Sequence, residues 1–166
     1  RPASHSHAVA YARDEHIGFT LVRFHSEKPE AYAVPGRRPE IFVSSAMEQL
    51  LTPPQLQAVL AHEFAHLRHQ HGLAIRIAQL NALLLPGTRA SRALERTTRL
   101  QIELAADDAA ARQVGAAHLA NALTVLAAAT HDVGMTLRAQ RLTRKRWPAA
   151  QHRRLPQGLR AAPQLR

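Results

Sequence analysis

The chain has no cysteine, which excludes disulfides and thiolate metal sites and leaves histidine and carboxylate as its only metal ligands. It also lacks a long apolar run. The longest, Leu80 to Leu85, contains Asn81 and falls far short of the roughly 20 residues a membrane-spanning helix needs. No signal peptide is visible, and no internal repeat or low-complexity stretch precedes the C-terminal tail. Acidic residues are missing altogether from 138–166, which holds nine Lys or Arg, whereas 1–137 holds 13 basic and 12 acidic side chains. The net charge of +10 therefore reads as a basic tail and not as a basic folded face, which ranks nucleic acid last among the partners. A tail of this kind, with Trp147 its sole aromatic, suits a solvated linker or a strip beside anionic lipid.

What is present fits one domain, since 166 residues suffice to bury a proper core. Because the chain opens on Arg1, it is expected to be a soluble segment of something longer. Residues 1–15 read as a flexible entry, 16–142 as the domain, and 143–166 as a disordered, membrane-proximal basic linker broken by Pro148, Pro156 and Pro163. Three short strands are expected: Ile17 to Phe24, Ala31 to Val34 between Pro29 and the Pro35-Gly36 turn, and Pro39 to Ser44. From Ser45 the pattern turns helical. Thr52-Pro53-Pro54-Gln55 starts a helix, with Thr as N-cap, Pro at the first position and Gln at N3. That helix is expected to run to about His71, followed by helices over 73–85, 90–114 and 116–129.

Inside the Thr52 helix stands His62-Glu63-Phe64-Ala65-His66, the pattern H-E-x-x-H. Residues four apart lie one turn above each other, so both imidazoles can aim at one tetrahedral zinc ion. Glu63 sits beside the first ligand, where it can act as general base on a metal-bound water. Composition alone yields this pattern about 0.03 times in such a chain; the bland alternative is two histidines on a solvent face. A third His in the x-x-G-x-x-H arrangement is excluded, because His69 holds the Gly position and Gly72 the His position. The other route is a downstream carboxylate. Glu103 can ligate, and Asp107, one turn on, can accept the outer N–H of a ligand histidine. The alternatives are an ion pair of Glu103 with Arg99 and a solvated Asp107. Asp108 points elsewhere, and His5, His7, His69, His71 and His118 are left as ordinary polar residues.

H-E-F-A-H followed by E-L-A-A-D resembles the gluzincin peptidases of integral membranes, including the HtpX and CAAX-prenyl endopeptidase group. The 36 residues between His66 and Glu103 are most similar to the BlaR/MecR-type sensor peptidase branch. The resemblance implies an α+β fold: a mainly helical, zincin-like domain with a small N-terminal sheet packed on the H-E-x-x-H helix. It implies one zinc ion (Zn2+) and a regulatory endopeptidase anchored by transmembrane helices outside this segment. Its substrate would be a polypeptide, for example a transcriptional repressor, and the tail's basic excess would place the domain on the cytoplasmic face. A catalytically silent zinc-binding sensor or scaffold is the alternative. In such peptidases the substrate adds as a strand to an edge above the zinc. Ala31, Tyr32, Ala33 and Val34 match that edge, or form an ordinary edge strand. Relatives also carry an Arg near the end of the domain, able to pair with Asp107 or steady the transition state. Arg141 fits that place best and Arg138 competes, unless both are linker residues.

Overall fold

A computed structural model of the chain describes residues 10–69 and 87–149, with helical positions 74, 75, 77, 79 and 80 between them. The entry over 1–9, most of the expected 73–85 helix and the tail beyond 149 lie outside the described residues. The fold is α+β, with a four-stranded sheet and five helices with defined ends among the described residues. The strands are β1 (Ala10–His16), β2 (Phe19–Phe24), β3 (Ala31–Val34) and β4 (Glu40–Ser44). The helices are α1 (Ser45–Leu50), α2 (Pro53–Arg68), α3 (Arg89–Val114), α4 (Ala116–Thr130) and α5 (Val133–Arg144).

The sheet order is β1-β2-β4-β3, with β4 parallel to β2 and antiparallel to β3. Leu21, Ile41 and Val43 point into the core, each no more than 2% exposed. Gly18, at φ 95°, makes the tight β1–β2 turn that a side chain would resist. β1 corrects the expectation of a flexible entry over 1–15, and the strand expected from Ile17 begins at Phe19. None of the β1 residues is buried. It is held by Arg23 to Asp14, Arg13 to Glu40 and Tyr11 to Glu48, partners distant in sequence.

Helix α2 is the centre of the molecule. The Gln55 side chain accepts from the Thr52 N–H at 3.0 Å, closing one half of the expected capping box. The helix ends at Arg68, short of the expected His71. Its large apolar side chains, Val59 and Leu60, pack under the sheet with Met47, Leu51 and Leu126. Ala58 and Ala61 meet Ala110 and Ala111 of α3 together with Leu119 and Leu123 of α4. Small residues on both sides let helix axes approach closely, which brings α3 alongside the histidine-bearing face of α2.

Helix α5 covers the end of the expected domain and runs two residues into the linker expected over 143–166. Met135, Ala139 and Leu142 recur at i, i+4 and i+7 and pack against the α2–α4 core. Trp147 also packs there and donates from Nε1 to the Leu142 carbonyl at 2.9 Å. Part of the basic tail therefore belongs to the folded body, since Arg138, Arg141 and Lys145 all pair with acids of α3.

Candidate metal and peptidase site

His62 and His66 project from one face of α2, their rings edge to face with centroids 4.7 Å apart. The two Nε2 atoms lie 3.0 Å apart. Glu103 reaches over from α3, with Oε2 3.3 Å from His62 Nε2 and Oε1 3.4 Å from His66 Nε2. Ligand atoms at about 2.0–2.1 Å from a tetrahedral zinc ion are separated by about 3.3 Å. The two imidazole nitrogens and the nearer Glu103 oxygen of each are spaced close to that value, and the residues fit the ion. Arg99, the other partner conceivable for Glu103, pairs with Glu95 at 2.9 Å.

Asp107 lies one turn beyond Glu103, with no exposed surface. Its Oδ1 stands 3.0 Å from His62 Nδ1, close in distance but without the alignment of a full hydrogen bond. Arg138 of α5 donates to both Asp107 oxygens at 2.7 Å, and its Nη1 lies 2.9 Å from Glu103 Oε2. Arg141, the better match in sequence, instead donates to Asp108 at 2.7 Å, and Lys145 joins it at 2.8 Å. The correction has a simple cause. Asp107 and Asp108 diverge by about 100° around α3, so the two arginines, one turn apart, reach different carboxylates.

Burial and charge shift the titrations here. Burial alone would depress His62, but Asp107, Glu103 and Glu63 outweigh it and raise the imidazole to about 9. Burial and the neighbouring Glu103 charge raise Glu63 to about 7, against the opposing pull of His62, the Ala33 N–H and Arg138. Burial would raise Asp107 and Glu103 as well; Arg138 and His62 instead hold both below their ordinary values.

The site opens on a cleft of about 490 Å³. Its rim includes Glu30, Ala31 and Tyr32, its floor His62, Glu63 and His66, and its far wall Leu119, Leu123 and Met135. β3 is an edge strand whose free side faces this cleft. The Ser44 N–H donates to the Glu30 carbonyl at 2.9 Å, so by the two-residue alternation of an antiparallel pair Ala31 and Ala33 turn their polar groups outward. The Ala33 N–H is the one that meets Glu63. Ser44 anchors this edge: its buried Oγ accepts from the Glu30 and Met47 N–H groups and donates to the Lys28 carbonyl. Nothing in the sequence reading pointed to Ser44, or to the apolar wall from α4.

Two imidazoles, a carboxylate, a buried glutamate beside them and a strand edge above a cleft are what a metallopeptidase requires. The chain belongs to Peptidase family M48, a family of zinc-dependent metallopeptidases whose model matches residues 4–141. It is 43% identical over 60 residues to the plastoglobule-localized metallopeptidase 48, chloroplastic, of Arabidopsis thaliana. That similarity covers 35% of this chain and 17% of the plant protein. No solved structure matches. The family includes membrane-anchored proteases, but among the described residues no helix is long and apolar enough to cross a membrane.

Proposed function

We propose that the domain is a zinc-dependent endopeptidase that cleaves a polypeptide bound as an added strand on β3. The carrying observation is the convergence of His62, His66 and Glu103: the imidazole Nε2 atoms lie 3.0 Å apart, and they stand 3.3 and 3.4 Å from the Oε2 and Oε1 of the one carboxylate. A zinc ion held by His62, His66 and Glu103 would supply Lewis acidity toward a water and a peptide carbonyl.

The remaining work falls to the chain. A substrate backbone pairs with the outward groups of Ala31 and with the outward carbonyl of Ala33, which fixes its register across the cleft. Glu63 takes the proton of the attacking water on its carboxylate and delivers it to the leaving amine. A pKa near 7 suits a group that must both accept and release a proton at neutral pH. Asp107 faces the outer nitrogen of His62 and directs its inner nitrogen toward the metal position. Arg138 holds Asp107 and Glu103 in place and presents positive charge at the cleft wall.

We further propose a regulatory role in which the domain acts from the cytoplasmic face of a membrane on a folded partner such as a transcriptional repressor. The short His66–Glu103 spacing is what supports the BlaR/MecR-like branch. The test of the peptidase reading is Glu63→Gln, compared with wild type for casein cleavage and bound zinc. Retained zinc with cleavage down by about 100-fold or more is expected from loss of a general base. Unchanged cleavage removes Glu63 from the mechanism, and stoichiometric loss of zinc makes it a ligand.

A further inference from the structure

The first three turns of α3 stand apart from the core. From Arg89 to Leu100 only Ser91 is buried, whereas from Ile102 onward the helix turns Ile102, Ala106, Asp107, Ala110, Ala111 and Val114 inward. At 100° per residue its outward surface divides into two strips. Arg89, Arg92, Arg96 and Arg99 fall at i, i+3, i+7 and i+10 and form a basic ridge. Ala90, Ala93, Leu94, Thr97 and Leu100 fall beside it at the same spacing, with Leu94 48% and Leu100 52% exposed. The segment's lone acid, Glu95, is taken up by Arg99, which leaves the charge of the other three arginines uncompensated by any acid of this segment. The helical stretch before it adds exposed Ile77 and Leu80, at 53% and 57%.

We propose that this face of α3 is a peripheral docking surface for an anionic lipid bilayer. Aliphatic side chains next to a row of arginines are the layout of a helix lying in the headgroup plane, where guanidinium groups meet lipid phosphates and the leucines enter the acyl boundary. An acidic polypeptide would satisfy the arginines but leave Leu94, Leu100, Ile77 and Leu80 in water. The ridge continues directly into Glu103, which lies at i+4 from Arg99, so docking holds the cleft within a few turns of the bilayer. This inference stands whether or not the site hydrolyses peptides.

Flotation of the full chain with vesicles tests it. Vesicles of 7:3 phosphatidylcholine and phosphatidylserine are expected to carry the protein and pure phosphatidylcholine vesicles to leave it behind, with the difference reduced severalfold by roughly 0.5 M salt. Leu94→Asp with Leu100→Asp, and separately Arg92→Gln with Arg96→Gln, should each lower binding at least fivefold while the far-UV circular dichroism stays unchanged. Replacing Arg153, Arg154, Arg160 and Arg166 by Gln should lower it less than either pair. Three results overturn the proposal. They are no flotation on anionic vesicles, binding lost only with the tail arginines, or binding that an acidic peptide abolishes and Leu94→Asp with Leu100→Asp leaves unchanged.

Discussion

Arg138 grips both carboxylate oxygens of Asp107 at 2.7 Å, and through this pair α5 is tied to the metal-site face of α3. Asp107 has no exposed surface and the Arg138 side chain is 15% exposed, so the pair is desolvated. Removing one partner of such a pair strands the other charge, at a cost of about 3–5 kcal/mol. Arg138→Ala is therefore expected to destabilise the metal-free protein by about that amount in urea unfolding. Arg141→Ala, which frees the half-buried Asp108 that still has Lys145, should cost about 1 kcal/mol or less. Equal effects of the two substitutions would contradict the assignment of Arg138 to the site.

The titrating groups give the metal-free protein a falling stability above neutral pH. His62 is raised above its ordinary 6.5 to about 9, so its contribution is full below pH 6.5 and lost as the pH climbs through 9. Glu63 is raised from 4.5 to about 7, so its contribution is full below pH 4.5 and lost as the pH climbs through 7. Asp107 and Glu103 are lowered and act in the opposite sense: their contribution is present above 3.8 and 4.5 and lost as the pH falls toward their folded values. Chelator-treated protein should melt progressively lower from pH 6.5 to 9. Zinc must displace the His62 proton, so proton release on binding should accompany an affinity that rises over the same interval. A Tm that stays level or rises there, without metal, would count against the geometry around His62.

The alanine seam between α2 and α3 sets how near Glu103 comes to the histidines. Ala61 is fully buried against this seam. Ala61→Leu should cost about 1–3 kcal/mol through overpacking and, by pushing α3 outward, weaken zinc binding at least tenfold. Ala93→Leu, on the exposed surface of α3, should do neither. Thermal unfolding with and without zinc separates the two.

Ser44 is the device that fixes the substrate edge. Ser44→Ala removes a fully buried hydroxyl that accepts two hydrogen bonds and donates one, with an expected loss of about 1–3 kcal/mol. Because its Oγ binds the Glu30 N–H at the start of β3, peptide KM should rise more than kcat falls. A loss confined to kcat would place its influence elsewhere.

The helix that carries H-E-x-x-H was legible in the sequence because its signals are local. Thr52, Pro53 and Gln55 mark its start, the histidine spacing gives its face, and Gly115, at φ 97°, marks the boundary of α3 and α4. β1 was not legible. Its exposed, charged residues carry no apolar alternation, and what holds it is pairing with β2, the Arg13–Glu40 and Asp14–Arg23 ion pairs and the Tyr11–Glu48 hydrogen bond. α5 was hidden for a different reason. Its apolar face has only Met135, Ala139 and Leu142 behind it, in a stretch whose arginines resemble a solvated tail. The acids that neutralise them lie on α3, and only the tertiary fold brings these together. Choosing between Arg138 and Arg141 required the orientation of Asp107 and Asp108, which spacing along either helix alone does not supply.

His62 and His66 of α2 and Glu103 of α3 converge on one position that could hold a metal ion. Zinc affinity measured by chelator competition on wild type, Glu103→Ala and the control Glu95→Ala tests it most directly. One zinc per chain is expected for wild type and Glu95→Ala, with affinity reduced at least 100-fold in Glu103→Ala. Equal affinity in Glu103→Ala and wild type would contradict the account.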